Sequence, residues 1–369
     1  MRALILSLST GGGHNSVCKA LAKYINEKGE GYDALVVDAY EYIEPALSKV
    51  VSKGYLMSTK YVPNTYSKFY RYFETHDASG KKFTLRHGVN KIMSIPFSNC
   101  VKEYKPDVII CSHVLTVELL ENMNQEILEG VKIVGIVTDF TVHPLWEDSY
   151  IDYYVTASEL LNLQMAKKRL PLDRILPFGI PIDEKFSVKI PESEAKKQLG
   201  IPDKPTILIR SGSMGFGNVV EHIAALDTLN MDFQMLIVCG NNKRMKKRVE
   251  NLFTEKKKFV YGFVDNVDVL MDASECIITK PGGLTVSEAL AKKMPLILIN
   301  PIPGQEDRNL EFLMNNGLAQ YVTETYPIDE AVYQLLTNSW RKSHIREDIE
   351  KMSKPNATRD LCEFLFSLQ

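Results

Sequence analysis

Short apolar runs of four to six residues alternate along the chain with stretches in which apolar side chains recur every three or four positions. The runs Ala3–Leu8, Ala34–Val37, Asp107–Cys111, Ile133–Val137 and Ile151–Val155 are rich in Val and Ile and carry few polar interruptions. Strands covered on both faces have this look, which predicts a parallel sheet. Between the first two runs, Asn15–Asn26 puts Val17, Leu21, Tyr24 and Ile25 at helical spacing. Strand, glycine turn, helix and strand make one βαβ unit.

From Pro177 to Pro205 the texture changes. Pro177, Pro181, Pro191, Pro202 and Pro205 interrupt regular structure, leaving room for one short helix over Glu192–Leu199. The alternation restarts at Thr206–Arg210 and continues through Met235–Cys239, Lys258–Tyr261, Cys276–Thr279 and Leu296–Asn300. The expected architecture is α/β, with two Rossmann-like doubly wound domains facing a central cleft. The domains cover 1–176 and 206–344, joined by a linker region over 177–205. Ile345–Leu368 reads as a helix, and residues 345–369 are expected to return to the N-terminal domain. In such sheets ligands bind beyond the carboxyl ends of the strands, so the turns that follow strands are where chemistry belongs.

Composition narrows the class. The length of 369 residues suits about two domains. Hydrophobic residues at 45% and charged residues at 24% exclude a disordered chain, a coiled coil and a collagen-like repeat. A net charge of -2 removes a whole-chain basic footprint, so no nucleic-acid partner is expected. The six cysteines are irregularly spaced without a C-x-x-C pair, which argues against zinc or a disulfide framework and for a reducing, cytoplasmic compartment. No apolar run approaches the roughly 20 residues of a spanning helix. Met1–Ser9 faintly resembles a signal peptide, but it lacks a cleavage pattern and runs straight into Gly11-Gly12-Gly13-His14, so it reads as a first strand.

Several turns carry candidate chemistry. In Ser9–His14 three glycines let backbone amides approach a ligand closely, and His14 stands at a helix start that favours neutral imidazole, a proton acceptor. A helix-capping histidine in a tight turn fits the same residues. After the strand Cys276–Thr279 comes Lys280-Pro281-Gly282-Gly283-Leu284-Thr285-Val286-Ser287-Glu288. Amides at Gly283, Leu284 and Thr285 would face a diphosphate, and Glu288 would accept two ribose hydroxyls. The same Thr285-x-x-Glu288 spacing also fits a capping box. The proline-bound loop Asn300–Asn309 presents Gln305 and Glu306 side by side, an amide and a carboxylate suited to sugar hydroxyls, or else a solvated loop. Arg210-Ser211-Gly212-Ser213-Met214 opens a second glycine turn able to touch phosphate or sugar, and Tyr261–Asn266 could meet a flat base edge beside Phe263. In Thr138–Trp146, Asp139 and His143 are candidates for base, orienter or acceptor contact, as is His113 after the strand Asp107–Cys111.

Residues 48–100 differ from the rest. Nine basic residues face only Glu74 and Asp77, and nine aromatics are interleaved. Basic charge with aromatic anchors suits an anionic membrane surface. It also suits single-stranded nucleic acid, and a solvated insertion is the plain alternative.

Taken together, STGGGH, VTDFTVHPLW, GIPI, TKPGGLTVSEAL and NPIPGQEDRN resemble the monogalactosyldiacylglycerol synthase and processive diacylglycerol glucosyltransferase family. These are family 28 glycosyltransferases, related more distantly to the peptidoglycan-lipid N-acetylglucosaminyltransferase. The resemblance runs over about residues 1–325, and the PGG-to-PGQE block is its most specific part. It implies a GT-B fold, UDP-glucose or UDP-galactose as donor, a diacylglycerol-type acceptor and inversion without a metal ion or any cofactor, the UDP-sugar being a substrate. By matched motif, Gly282, Gly283, Leu284 and Thr285 would serve the diphosphate and Glu288 the ribose. Gln305 and Glu306 would hold the sugar, and Phe263 and Val264 would meet the uracil. Gly212, Ser213 and Met214 fall on the sugar side, although SGSMGFG has Ser where many relatives have Gly, which leaves their contacts open. Gly12, Gly13, His113 and His143 would lie on the acceptor side, with His14 at the acceptor hydroxyl.

The expected reaction is a single displacement, the acceptor hydroxyl being deprotonated by His14 or by Asp139. The expected location is the inner face of the cell membrane, held peripherally through residues 48–100. Three other readings fit parts of the pattern: N-acetylglucosamine transfer to a polyprenyl-linked cell-wall lipid, a non-catalytic UDP-sugar sensor, and a dinucleotide oxidoreductase using Asp38. The last leaves the PGG and PGQE blocks without a role.

Overall fold

The computed structural model describes residues 1–8, 12–39, 97–147, 149, 151–210 and 218–368. The chain divides into two units. The first comprises Met1–Glu184, Ile302–Gln305 and Asn356–Gln369; the second comprises Lys185–Pro301 and Glu306–Pro355.

The first unit holds a six-stranded sheet in the order β2-β1-β3-β4-β5-β6, every pair parallel. Its strands are β1 (Arg2–Ser7), β2 (Asp33–Asp38), β3 (Val108–Cys111), β4 (Lys132–Ile136), β5 (Tyr153–Val155) and β6 (Ile175–Leu176). β1 and β3 lie inside the sheet and are buried almost throughout, whereas the edge strand β2 alternates exposed and half-buried positions. That contrast is what a parallel sheet covered by helices demands. Helices α1 (Gly12–Glu27), α2 (Val114–Glu121) and α3 (Asn162–Lys167) connect these strands, and residues 97–104 are also helical.

The second unit repeats the architecture with the order β12-β11-β10-β7-β8-β9, again all parallel. Its strands are β7 (Thr206–Arg210), β8 (Gln234–Val238), β9 (Lys258–Tyr261), β10 (Cys276–Thr279), β11 (Leu296–Leu298) and β12 (Ala319–Tyr321). Its helices are α4 (Glu192–Leu199), α5 (Val219–Asp227), α6 (Lys243–Glu250), α7 (Val267–Asp272), α8 (Gly283–Ala291), α9 (Gln305–Asn315, whose first residue falls in the first unit), α10 (Ile328–Thr337) and α11 (Ser339–Met352). Ile207, Ile209, Ile223, Phe233, Ile237 and Ile278 are among the side chains forming one of its buried cores.

The helix expected over Ile345–Leu368 is two helices. α11 ends at Met352 in the second unit, and α12 (Ala357–Ser367) belongs to the first. Pro355, which cannot continue a helix, stands at the break. α12 buries Ala357, Leu361, Cys362 and Leu365, and Thr358 Oγ1 donates to the Ile182 carbonyl at 2.6 Å. Tyr24 of α1 and Lys28 just past its end both donate to Glu363, at 3.1 and 2.9 Å. No helix among the described residues is long and apolar enough to cross a membrane.

One glycine shapes the loop after β4. A Cβ on Gly135 would meet Ile151 Cδ1 and the Trp146 ring, both at 2.6 Å. The bare backbone therefore lets the buried Trp146 lie against β4, where it also packs edge-on to Tyr154 with centroids 6.2 Å apart. This seats the segment carrying Asp139 and His143. Replacing Gly135 with Ala should overpack the site and cost about 1–3 kcal/mol. Urea unfolding checks this: a lowered midpoint is expected, and an unchanged one contradicts the packing.

Candidate active site

The best-defined candidate site residues of the first unit gather where its strands end. His14 sits in the first turn of α1. Its Nδ1 lies 2.8 Å from the Ser112 carbonyl, just past β3. A carbonyl only accepts, so Nδ1 carries the proton and Nε2 is left as the basic nitrogen. His113 packs edge-on against His14, with ring centroids 5.0 Å apart. His113 also caps α2, its Nδ1 accepting from the Leu115 amide at 3.1 Å. His143 makes the same contact with the Leu145 amide, also at 3.1 Å, at the start of a short 3-10 turn.

Burial keeps the His14 and His113 rings neutral. It pushes the His14 pKa below 6.5, with the Ser112 carbonyl working the other way. His113 goes well below 6.5, through burial and then through repulsion from His14 and His143. Asp139 accepts a hydrogen bond from Gln305 Nε2, and both residues belong to the first unit. Gly12 and Gly13 open α1. Ser9, Thr10 and Gly11 lie outside the described residues.

In the second unit, α8 begins at Gly283 immediately after β10, with Gly282 as its N-cap. The first helical bond runs from the Val286 amide to the Gly282 carbonyl at 3.0 Å. The amides of Gly283, Leu284 and Thr285 therefore precede the helical ladder, and no side chain among the described residues caps them. Thr285 lies inside the first turn rather than before it, so the capping-box reading of Thr285 and Glu288 does not hold. Glu288, 6% exposed, instead pairs with Arg210 at 2.6 Å; Arg210 is the last residue of β7, the strand next to β10.

The loop before α8 is braced from α9. Buried Asn309 donates to the Pro281 carbonyl at 3.0 Å, and Glu306 pairs with Lys280 at 3.2 Å. Gly282 has an ordinary backbone, φ -77° and ψ 133°, and a Cβ there would meet only Glu306 Oε1, at 3.7 Å. Among the described residues nothing requires glycine at that position. At the other end of α8, Lys292 and Asp272 form a buried pair at 2.6 Å, and Lys292 also donates to the Val188 carbonyl. A cation at a helix C-terminus complements its dipole.

Phe263 and Val264 follow the edge strand β9, and Phe263 is 72% exposed. Gly212, Ser213 and Met214 lie outside the described residues, as does all of the basic segment except 97–100. Three contacts carried no signal in the sequence: Ser112 to His14, Arg210 to Glu288, and Lys280 to Glu306. Each joins residues remote along the chain. Among the described residues, no group of three or more His, Cys, Asp or Glu side chains is arranged to hold a metal ion.

The tautomer of His14 is directly measurable. An unfolded histidine binds its proton more tightly than this buried one, so stability should fall as pH drops below about 6.5. In nitrogen-labelled histidine spectra, His14 should be the Nδ1–H tautomer at neutral pH and titrate below 6.5. A midpoint above 6.5, or a proton on Nε2, contradicts the assignment.

Both halves of the chain resemble known proteins. Residues 14–182 match the family model described as monogalactosyldiacylglycerol (MGDG) synthase, and residues 191–352 match glycosyl transferases group 1. The chain is 28% identical over 374 residues to the processive diacylglycerol beta-glucosyltransferase of Staphylococcus saprophyticus, covering 100% of this chain and 93% of that protein. MurG of Acinetobacter baumannii superposes with a TM-score of 0.63 at 14% identity, covering 99% of both chains. UDP-GlcNAc 2-epimerase from Neisseria meningitidis, bound to UDP-GlcNAc, gives a TM-score of 0.62 at 14% identity over 100% of both. The likeness to solved structures establishes the GT-B fold, which an epimerase shares with glycosyltransferases, so the fold alone does not choose the reaction. Each half of the chain is thus matched by a glycosyltransferase family model, the first half by that of monogalactosyldiacylglycerol synthase.

Proposed function

We propose that the chain is an inverting glycosyltransferase that moves glucose or galactose from its UDP conjugate to a diacylglycerol-type lipid. The observation that carries this is the uncapped start of α8 behind a braced PGG loop, in a chain whose full-length relatives are named processive diacylglycerol beta-glucosyltransferases.

The donor half of the reading concerns the second unit. Amides at Gly283, Leu284 and Thr285, with the helix dipole behind them, suit a diphosphate. Gly282 is then glycine for the ligand's sake, because a side chain would crowd the approach. β10 and the edge strand β9 are three strand spacings apart, roughly 14 Å. That is the scale of a nucleoside diphosphate laid across the strand ends, with uracil at Phe263 and Val264. Glu288, held by Arg210 from the strand between, suits the ribose. Gln305 and Glu306 are assigned to the sugar.

The acceptor half concerns the first unit. His14 Nε2 takes the proton from the lipid hydroxyl as that oxygen attacks the anomeric carbon. Its Nδ1–H, bound to the Ser112 carbonyl, fixes the ring and steadies the imidazolium that forms. Asp139 is the alternative base, and Gly12, Gly13, His113 and His143 line the acceptor side. Attack occurs opposite the leaving UDP, so configuration inverts. Negative charge then grows on the diphosphate, where the α8 amides already point a fixed positive potential. The scheme needs no metal ion and no cofactor. With its acceptor in a bilayer, the chain works peripherally at the inner face of the cell membrane, and residues 48–100 are the proposed anchor.

Incubation with labelled UDP-glucose or UDP-galactose and diacylglycerol should yield a glycolipid on thin-layer chromatography. Product formed only with a polyprenyl-linked cell-wall lipid and UDP-GlcNAc would contradict the acceptor and sugar. His14→Ala should lower kcat by about 10²–10⁴-fold and leave UDP affinity unchanged. Full turnover in that variant removes His14 as the base.

A further inference from the structure

Residues 243–258 of the second unit carry eight basic residues against two acidic ones, Glu250 and Glu255, in a chain whose net charge is -2. Four of the eight have local work. Lys246 pairs with Glu250 at 3.5 Å. Lys256 donates to the carbonyls of Asp227 and Leu229, at 3.0 and 2.5 Å, and Lys258 to that of Leu252. Lys257 lies over the Phe259 ring, 5.0 Å from its centroid. Lysines here also guard the exposed side of β9, an edge strand that would otherwise invite pairing.

The other four have no such explanation. Lys243, Arg244, Lys247 and Arg248 are exposed, and none of their side chains makes a hydrogen bond or ion pair among the described residues. They occupy positions i, i+1, i+4 and i+5 of α6, which form two adjacent columns on the face away from the buried Met245 and Val249. Each column sets like charges four residues apart, a spacing that disfavours the helix. A merely solvated face would gain from interspersed acids, and the one acid of this helix, Glu250 at its last position, is paired with Lys246. In the turn that follows, Phe253 is 87% exposed, more than any other large hydrophobic side chain described. Charge alone would account for solubility, but not for a bare phenyl ring three residues beyond the helix.

A cationic helix face flanked by an exposed aromatic ring complements an interface that is anionic outside and apolar just beneath. We propose that the α6 face and Phe253 dock the second unit on an anionic lipid bilayer, cations on the headgroup phosphates and the ring below them. This gives the donor-binding unit its own hold on the membrane, independent of residues 48–100. Its purpose rests on the reading of the acceptor as a membrane lipid, whereas the binding itself needs no substrate.

The test is co-sedimentation of the full chain with phosphatidylcholine vesicles, with and without phosphatidylglycerol. The chain should bind the anionic vesicles, and binding should weaken with salt. The K243Q/R244Q/K247Q/R248Q variant should bind at least about tenfold more weakly, since each removed charge is worth roughly fivefold at such a surface. Glutamine is nearly as good a helix former, so its unfolding midpoint and UDP affinity should match the parent. Phe253→Ser should weaken binding at high salt as well as low. Parent-like vesicle affinity in the quadruple variant overturns the proposal. So does single-stranded oligonucleotide binding that the variant loses while vesicle binding stays. If glycolipid synthesis fails while the quadruple variant still loses vesicle binding, the enzymatic reading falls and the docking surface stands.

Discussion

The structure turns on backbone amides that a helix cannot satisfy for itself. The first N–H groups of any α-helix lack intrahelical partners. In α8 they emerge directly from the buried centre of a parallel sheet, at Gly283, Leu284 and Thr285. Most other helices here begin in less demanding ways. α2 takes a histidine cap and α6 an asparagine cap, whereas α4 and α10 follow prolines and carry acidic side chains in their first turns. α8 has neither a side-chain cap nor an acid in its first turn. A negative ligand is the partner such a helix start favours, and an activated sugar carries its negative charge on the group that must leave.

The surroundings of α8 hold that start in place. Asn309 and Glu306 brace the loop before it from one side, and the Arg210–Glu288 pair ties its first turns to β7. The Lys292–Asp272 pair fixes its far end. Breaking a buried pair of this kind by removing one partner typically costs about 3–5 kcal/mol. Such pairs bring no net stability over well-packed apolar residues, so their value is geometric: they set one orientation for the helix. His14 is treated similarly in the first unit, where one hydrogen bond to a backbone carbonyl selects the tautomer and burial keeps the ring uncharged.

Much of the fold was legible in the sequence because buried parallel strands are continuous apolar runs. Lys258–Tyr261 and Cys276–Thr279 match β9 and β10 residue for residue. β6 and β12 escaped notice because they are two and three residues long, and β12 carries a glutamine at its centre. The break between α11 and α12 was written in Pro355, but apolar periodicity on both sides masked it. The glycine turns and the PGG block were visible as motifs; their braces were not. Arg210 and Glu288 are 78 positions apart, and only the strand order places β7 beside β10. The capping-box alternative fails because Gly282 starts the helix earlier than Thr285 would, and spacing alone does not say where a helix begins.

The grip of the α8 amides on a diphosphate is best tested by hydrogen exchange with and without UDP. These amides should exchange readily in the free protein, having no acceptor among the described residues. With UDP bound, Gly283, Leu284 and Thr285 should become protected together. Protection confined to other strand ends, with these three unchanged, would show that the nucleotide binds elsewhere.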